Sequence, residues 1–583
     1  MVGLACAGAT ALATVVGPAA GNAAAPPSVP CSSTALISAL HTIDQSPTGA
    51  GTLSLAAGCT YTLDAVDNTT DGSNAFPVIH GPVTITGNGA TFARAASAPP
   101  FRFFTVDVPG VLTLQGLTLR GGATPAGQLF GGGAVLNLGA TNVSAMTFTG
   151  NSAPAEVGGG ALDDHNLGRL SVDASTFVGN SGTQGGAVEN EATYCDTSQA
   201  VCGSVTISGS TFRGNSTSAF GGGAVETAHA RGQVGACPQP TPGLCEMPGG
   251  AVTNLQRDAL IGNTAATDGG AVANYGATTI ASSTISGNTT NSDDDRFGGG
   301  GIQNTGVATV TSSTVAGNRS AFGANVHTYT DTIDGLPAPV TTFTSSIVAA
   351  LGAAGSSCGG AVPLIDGGYN LDSGTTCGFS SSQHSLVDVD PKLASVGNHG
   401  GPTPTMPLSP TSPAIDAIPA TTAGCAGSVD QRGTARPSGP GCDIGAFEVT
   451  LADRIAAAGV ARASARFVTV VNARGVYAGT GVRTVRTSHA RGLLAVTRGA
   501  TTYITFSGRR LELIFLSGPT AGIARTLVAG HAHVADLYSR SAATVRVLLA
   551  VRPGVHLVRV IALGTRDRRS RGKGVFLTEM RVH

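Results

Sequence analysis

The phrase GGGAVLN at Gly131–Asn137 returns as GGAVEN at Gly185–Asn190, GGAVTN at Gly249–Asn254, GGAVAN at Gly269–Asn274 and GGGGIQN at Gly298–Asn304. Variants are GGGALDD at Gly158–Asp164 and GGGAVET at Gly221–Thr227. A second phrase alternates with it: FTGN at Phe148–Asn151, FVGN at Phe177–Asn180, FRGN at Phe212–Asn215, then LIGN, ISGN and VAGN, ending at Asn263, Asn288 and Asn318. From Ala134 to Gly301 there are six steps over 167 residues, about 28 each. A fixed period in this range marks a repeat architecture whose units bury their apolar faces against their neighbours. The segments between the phrases, such as LSVDASTF and SVTISGSTF, alternate apolar and small polar residues at period two, which is a strand signal. Two or three short strands per unit make one coil of a parallel β-helix. Glycine pairs permit its corners, and the Asn after each aliphatic is expected to stack as a ladder along the axis.

The array resembles the GGA[VI] and FxxN repeats of the polymorphic outer-membrane proteins and, more widely, the pectin-lyase-like right-handed β-helices. Such a resemblance implies fold rather than activity, since one solenoid hosts lyases, hydrolases, adhesins and stalks. The fold class expected is all-β: a right-handed parallel β-helix followed by a small β-sandwich of jelly-roll type.

Composition agrees with a solenoid of small side chains: 84 Gly, 11% charged residues and no Trp in 583 residues. The net charge of −1 hides an asymmetry. Residues 450–583 hold 21 Lys+Arg against 5 Asp+Glu, leaving 12 against 29 for the rest. A boundary falls near Thr450. Five segments are therefore expected: a signal peptide at 1–25, a β-helix with its amino-terminal cap at 26–350 (repeats 131–318), a carboxy-terminal part of the solenoid at 351–449, a linker at 450–474, and a basic sandwich at 475–583.

The apolar run Leu4–Val16 with AAGNAAAPP after it reads as a secretory signal. Cys6 follows GLA, a poor lipobox. No other stretch is long enough to span a bilayer. Ten cysteines remain beyond Cys6, in local pairs: Cys31/Cys59, Cys195/Cys202, Cys237/Cys245, Cys358/Cys377 and Cys425/Cys442. An even count after a secretory signal reads as a disulfide set, although spacing alone does not fix connectivity. Zinc spacings are absent. The protein is expected at the cell surface or outside the cell, as a monomer.

The start of the chain resembles the cap of secreted bacterial β-helix proteins, through the helix-like Cys31–Leu40, CTYTL at Cys59–Leu63 and ITGNGATF at Ile85–Phe92. Further on come CGFS at Cys377–Ser380, DVDPKL at Asp388–Leu393, NHGGPTPTMPL at Asn398–Leu408, SPAID at Ser412–Asp416, DQRGTARP at Asp430–Pro437 and CDIGAFE at Cys442–Glu448. This block resembles the choice-of-anchor Q domain. Asp430, Arg432, Asp443 and Glu448 within it are expected to form hydrogen-bonded pairs closing the end of the solenoid. The last segment resembles the jelly-roll modules appended to glycan-active or surface proteins, through ITFSG at Ile504–Gly508, a strand ending in GP at Pro519, ADLYS at Ala535–Ser539, GVH at Gly554–His556 and ALGT at Ala562–Thr565. Val482 and Phe515 stand where such modules often carry Trp. Sugar stacking would fall to Tyr477, Tyr503 or Tyr538, and Arg568, Arg569 and Arg571 in the run RDRRSRGK would meet an anionic polymer.

Chemistry is harder to place. The pectin-hydrolase phrases are not reproduced: DD occurs at Asp163–Asp164, GHG is missing, and RxK occurs only at Arg571–Lys573. Arg169, Arg213 and Arg231 are basic residues a lyase could use, and His165 and His229 follow glycine phrases. Two Cys-bearing insertions, Tyr194–Cys202 and Ala230–Met247, leave the repeats. A loop with Asp293, Asp294 and Asp295 could attract Ca²⁺, but lacks the spacing of a calcium loop; otherwise no cofactor is expected. Aligning the glycine phrases gives one variable column: Leu136, Asp163, Glu189, Glu226, Thr253, Ala273, Gln303. The aliphatic before each member points into the core, so strand alternation turns this column outward. Asp163, Glu189 and Glu226 on consecutive coils are the candidate acid–base or cation-binding residues. The function expected is a glycan- or wall-polymer-binding surface protein; the alternative is a polysaccharide lyase or glycoside hydrolase. Nucleic acid is not an expected partner.

Overall fold

The computed structural model describes residues 28–583 except 155–157, 166–167, 193–202, 233–244, 247–250, 331–337, 353–355, 451–452, 454–467, 473–474, 481, 487–490, 496–500, 508–509, 520, 529–530, 542, 551–554, 564, 567, 571–574 and 583. Through the repeats the strands form three sheets of parallel pairs, each strand bonded to its counterparts one coil before and one coil after. The chain is a parallel β-helix, as the repeats predict.

Each coil follows one route. A short strand from the glycine phrase, such as Val135–Asn137, leads to a five-residue strand, Ala140–Ser144. A bend follows, then Thr147–Thr149 and the two-residue Ser152–Ala153 before the next glycine phrase. The bend needs a left-handed residue in every coil: Ala145, Ala174, Arg257, Ser282, Ser312 and Ser345 all have φ between 46° and 60°. The phenylalanine of FxGN points inward, and Phe148, Phe177 and Phe212 stack at 4.8 and 4.5 Å. Leu260, Ile285, Val315 and Val348 continue that buried column.

The asparagine ladder forms on a different phrase from the one expected. Asn151, Asn180, Asn215, Asn263, Asn288, Asn318 and Asn325, the first six closing the FxGN phrase or its LIGN, ISGN and VAGN variants, make an unbroken run, each amide donating to the next side-chain oxygen at 2.9–3.0 Å. That oxygen also accepts the preceding Asn's backbone N–H, so no turn group in the run is stranded. In the glycine-phrase series only Asn274 to Asn304 repeats the pattern Asn-to-Asn; Asn137 donates to Asp164.

The phrase GGAVTN at Gly249–Asn254 is not a repeat of the others. Val252–Gln256 lies in the long sheet, pairing Thr253 with Val205 and Thr278. The glycine-phrase strand of that coil is Val225–Gly232, whose next neighbour is Val272–Asn274.

The ends are capped. The helix Ser33–Asp44, N-capped by Ser32, buries Leu36 and Leu40, and Cys31–Cys59 ties its start to the first coils. Such a cover removes the exposed edge a solenoid otherwise presents. Cys358–Cys377 and Cys425–Cys442 are also bonded, so three of the five expected disulfides are present among the described residues. The other two expected bonds, Cys195–Cys202 and Cys237–Cys245, are not among them, because Cys195, Cys202 and Cys237 lie outside the described residues. Cys245 is placed by its backbone alone, in the two-residue strand Cys245–Glu246 that runs antiparallel to Arg231 and Gly232. The second insertion therefore returns along the strand it leaves, which brings its two ends together.

The segment after Pro391 does not close the end of the solenoid. It runs back along the flank of the long sheet. Gly445 N donates to Ser345 O at 2.9 Å, and Ala446 N to Thr314 Oγ1 at 3.1 Å. Further back, Gln431 Oε1 accepts from Thr284 Oγ1, Gln431 Nε2 donates to Asp258 O, and Thr403 Oγ1 donates to Arg257 O. The bends supply these polar groups, so one arm staples several coils. Its own interior is held as expected by Asp430–Arg432 at 2.9 Å and by Glu448 accepting from Asp443 N at 2.9 Å. Arg432 also covers the Phe447 ring at 3.6 Å, and Arg436 pairs with Glu448 at 3.3 Å.

Residues 468–582 form two antiparallel sheets. One runs in the order 468–472, 475–480, 501–507, 555–562, 523–528, 531–536; the other runs 482–486, 491–495, 575–582, 510–517, 543–550. Leu511, Leu513, Phe515 and Leu577 from the second pack with Ala524, Val528, Val558 and Val560 from the first, giving the β-sandwich its own core. No described helix is long and apolar enough to cross a membrane.

Candidate functional site

The glycine-phrase strands bring Asp163, Glu189 and Glu226 into register on consecutive coils. Leu136 pairs with Asp163, Asp163 with Glu189, Glu189 with Glu226 and Glu226 with Ala273, then Gln303 and His327 follow. Thr253 drops out of it. Successive members are spaced by the strand separation, about 4.8 Å.

The column is not exposed. Asp163, Glu189 and Glu226 have 0%, 0% and 2% of their surface accessible. Alternation does turn them away from the core, but the glycine turns lie over them. A Cβ on Gly158 would stand 3.3 Å from Asp163 Oδ2, and one on Gly221 would strike Glu226. Asp163 Oδ2 accepts from Gly131 N at 2.8 Å. The same role recurs along the solenoid: Asp268 accepts from Gly221 N at 2.9 Å and Gln303 from Gly298 N at 2.6 Å. The N–H groups of the tight turns thus find acceptors in side chains beneath them. Asp163 Oδ1 and both oxygens of Glu189 have no hydrogen-bond partner.

Electrostatics follows from burial and crowding. Burial pushes Asp163 up to about 6, against the pull of His165, Arg102 and the Gly131 N–H. Glu189 is driven well above the usual carboxylate range, first by burial and then by Glu226, Asp163 and Glu191. Its nearby Gly185 N–H acts in the other direction without completing a hydrogen bond. Asp164 is also raised well above its usual range by burial, although Asn137 hydrogen-bonds it. The buried Arg102 guanidinium falls to about 10 through desolvation, partly offset by Asp163 and Asp71.

Sequence alone missed part of this cluster. His165 pairs in register with Glu191, and their side chains approach to 3.2 Å. Burial lowers His165, but Glu191, Asp163 and Asp164 outweigh it and hold the imidazole above its ordinary value. Phe130 packs edge-on against the His165 ring at 4.6 Å. The period-two spacing of Asp163/His165 and Glu189/Glu191 was the available signal. Glu191, with 12% of its side chain exposed, is the member nearest solvent. The cluster can share protons among carboxylates, but Asp163, Glu189 and Glu226 do not meet a substrate in this arrangement.

The remaining candidates are dispersed. Asp294 is held by Arg296 in a 2.6 Å ion pair that lowers its carboxyl to about 2, so a surface salt bridge ties the Asp293–Asp295 turn. Among the described residues no group of three His, Cys, Asp or Glu is placed to hold a metal. Tyr477 stands opposite Ile504, and Tyr503 opposite Ala478, in neighbouring strands. Tyr538 follows 531–536, three strands from that of Tyr503, so the structure does not gather the three tyrosines. Arg568 and Arg569 are exposed, and the Arg569 guanidinium lies 4.9 Å from the Tyr538 ring centre. Arg571 lies outside the described residues.

These features define the class: a disulfide-bonded parallel β-helix protein carrying a separate β-sandwich. No protein-family model and no curated protein matches the chain. Among solved structures, the enzymatically active domain of bacteriophage CBA120 tailspike protein 4 is similar over 90% of this chain and 64% of its own, at 10% identity and TM-score 0.22. A Paenibacillus xanthan lyase matches 21% of this chain and 12% of its own, at 11% identity and TM-score 0.16. A two-domain esterase active on acetylated mannans, crystallised with mannopentaose, matches 20% of this chain and 35% of its own, at 15% identity and TM-score 0.17. The chain thus spans less than two thirds of the length of each.

Proposed function

We propose that this is an exported, surface-acting protein whose basic sandwich holds an acidic glycan of a cell wall or capsule. The loop carrying Arg566, Arg568 and Arg569 supports this reading above all. All three are exposed, and the loop is pinned: Ser570 Oγ donates to Ala521 O at 2.7 Å, and Arg566 to Ser570 O at 2.8 Å. A pinned array of guanidinium groups beside Tyr538 presents fixed charge at low ordering cost. The excess of 21 basic over 5 acidic residues in 450–583 provides the surrounding field. Three disulfides fit an oxidising compartment. The resemblance to choice-of-anchor Q and appended jelly-roll segments points the same way.

The test is binding of the full chain to polygalacturonate across a salt series. Affinity is expected to fall at least tenfold between 50 and 500 mM salt, through counterion release, and about tenfold in R568A/R569A. Equal binding in 1 M salt would refute the reading.

A second reading, a polysaccharide lyase or hydrolase, is favoured by one feature: the buried His165 pairs with Glu191, the least buried carboxylate of the cluster. Release of unsaturated or reducing ends, abolished by H165A, would support it. The burial of Asp163, Glu189 and Glu226 argues for the binding reading.

A further inference from the structure

A separate surface lies where the residue just before a glycine phrase is aromatic. Phe220, Phe297 and Phe322 occupy that position, before Gly221, Gly298 and Gly323. Between the coils of Phe220 and Phe297 the same position is Asp268, which turns inward. Its Oδ2 accepts from Gly221 N and its Oδ1 from Gln303 Nε2 at 2.9 Å each. With no side chain projecting between them, the Phe220 and Phe297 rings meet at 6.0 Å across one coil, inclined at 53°. Phe220 is 55% exposed, so its ring presents an apolar face to solvent beside Phe297.

The rim is fixed and polar. The Arg296 guanidinium lies 5.4 Å from the Phe297 ring centre, and its Nε and Nη2 both bond Asp294. Ser292 Oγ accepts from Asp294 N, which shapes the turn. Exposed Asp293 and Asp295 flank the pair.

We propose that this flank of the solenoid binds a neutral saccharide chain. Two inclined aromatic faces suit the C–H face of a sugar ring. A guanidinium donor beside carboxylate acceptors complements vicinal hydroxyls, which both donate and accept. Three aspartates against one arginine make the rim net negative, so a polyuronate or phosphate polymer is repelled. The ligand class therefore differs from that of the basic sandwich, and the proposal stands independently of that reading.

The experiment uses the full chain against mannan, xylan and polygalacturonate in 20 mM and 1 M NaCl, with F220A/F297A, D293N/D295N and R568A/R569A. Wild type is expected to retain a neutral glycan in 1 M salt. F220A/F297A should lose at least tenfold of that binding, D293N/D295N at least threefold, and R568A/R569A less than twofold. All the substituted positions are at the surface, and thermal melts check that each variant is folded. Absence of neutral-glycan binding in wild type, or binding by F220A/F297A within twofold of wild type, overturns the proposal. Loss of polygalacturonate binding alone in R568A/R569A speaks only to the sandwich.

Discussion

Replacing Glu189 by Gln should make this protein more stable, and only above acid pH. Glu189 sits in register between Asp163 and Glu226, fully buried, with both carboxylate oxygens unpaired. Two charges about 5 Å apart repel by about 3 kcal/mol at an effective dielectric of 20. Ionising all three carboxylates would therefore cost several kcal/mol, and Glu189 escapes by keeping its proton. Its folded pKa lies well above its ordinary 4.5, so the folded chain binds a proton that the unfolded chain gives up. The stability this proton contributes is full below 4.5 and drains as pH rises toward the folded value. Holding a carboxyl protonated at pH 8 costs about 5 kcal/mol, at 1.36 kcal/mol per unit, which bounds the effect. A glutamine removes that cost and can accept from Gly185 N–H, as Gln303 accepts from Gly298 two coils beyond Glu226. We expect E189Q to gain about 2–4 kcal/mol at pH 8 and about nothing at pH 4. Urea unfolding of wild type and variant at pH 4, 6 and 8 reads this directly. An E189Q chain no more stable than wild type at pH 8, or equally stabilised at pH 4, would refute the reasoning.

Two further perturbations separate kinds of constraint. Gly214 has φ 62° with nothing within 4 Å of a Cβ, whereas a Cβ on Gly223 would collide with Gly270 O; G214A should cost about 1 kcal/mol and G223A about 3 or more, read from melting of the two variants. Gln431 makes four hydrogen bonds, two joining the returning arm to Asp258 and Thr284 and two within the arm to Thr403 and Pro404, so Q431A should lower stability by about 2–4 kcal/mol and speed proteolysis after residue 395; unchanged proteolysis would show that the arm is held elsewhere.

The fold was legible because coil after coil repeats the same demands: an inward Phe or aliphatic, a left-handed glycine, an acceptor for the turn. Two misreadings have physical causes. GGAVTN at Gly249–Asn254 copies the composition of a corner, but an insertion precedes it in a coil already supplied by Val225–Gly232, so Val252 starts the long-sheet strand. The column Asp163, Glu189, Glu226 has the predicted register and the predicted side, yet it is buried, because alternation specifies a direction and not what lies over it. The glycines that announced each corner are themselves the cover: without side chains, their turns settle onto the neighbouring carboxylates. The arm along the flank was illegible for a related reason. Its anchors, such as Thr284 and Gln431, lie 147 residues apart and carry no periodic signal.

The arm also bears on where a ligand can be held. From Ser345 back to Arg257, the bends of the long sheet are bonded to residues 403–446, so that flank is occupied by the chain itself. The glycine-phrase side carries the other polar equipment: the acidic column, the His165–Glu191 pair at its edge, and the Phe220–Phe297 rings beside Arg296. Both Cys-bearing insertions also leave the chain from glycine-phrase strands, after Ala192 and after Gly232. A solenoid tolerates insertions where its coils turn outward, and such loops gather on its binding flank. One side is thus stapled for rigidity while the other accumulates loops, aromatic faces and ionisable groups. That division agrees with the two proposals, a saccharide on the glycine-phrase side of the solenoid and an anionic polymer on the basic sandwich.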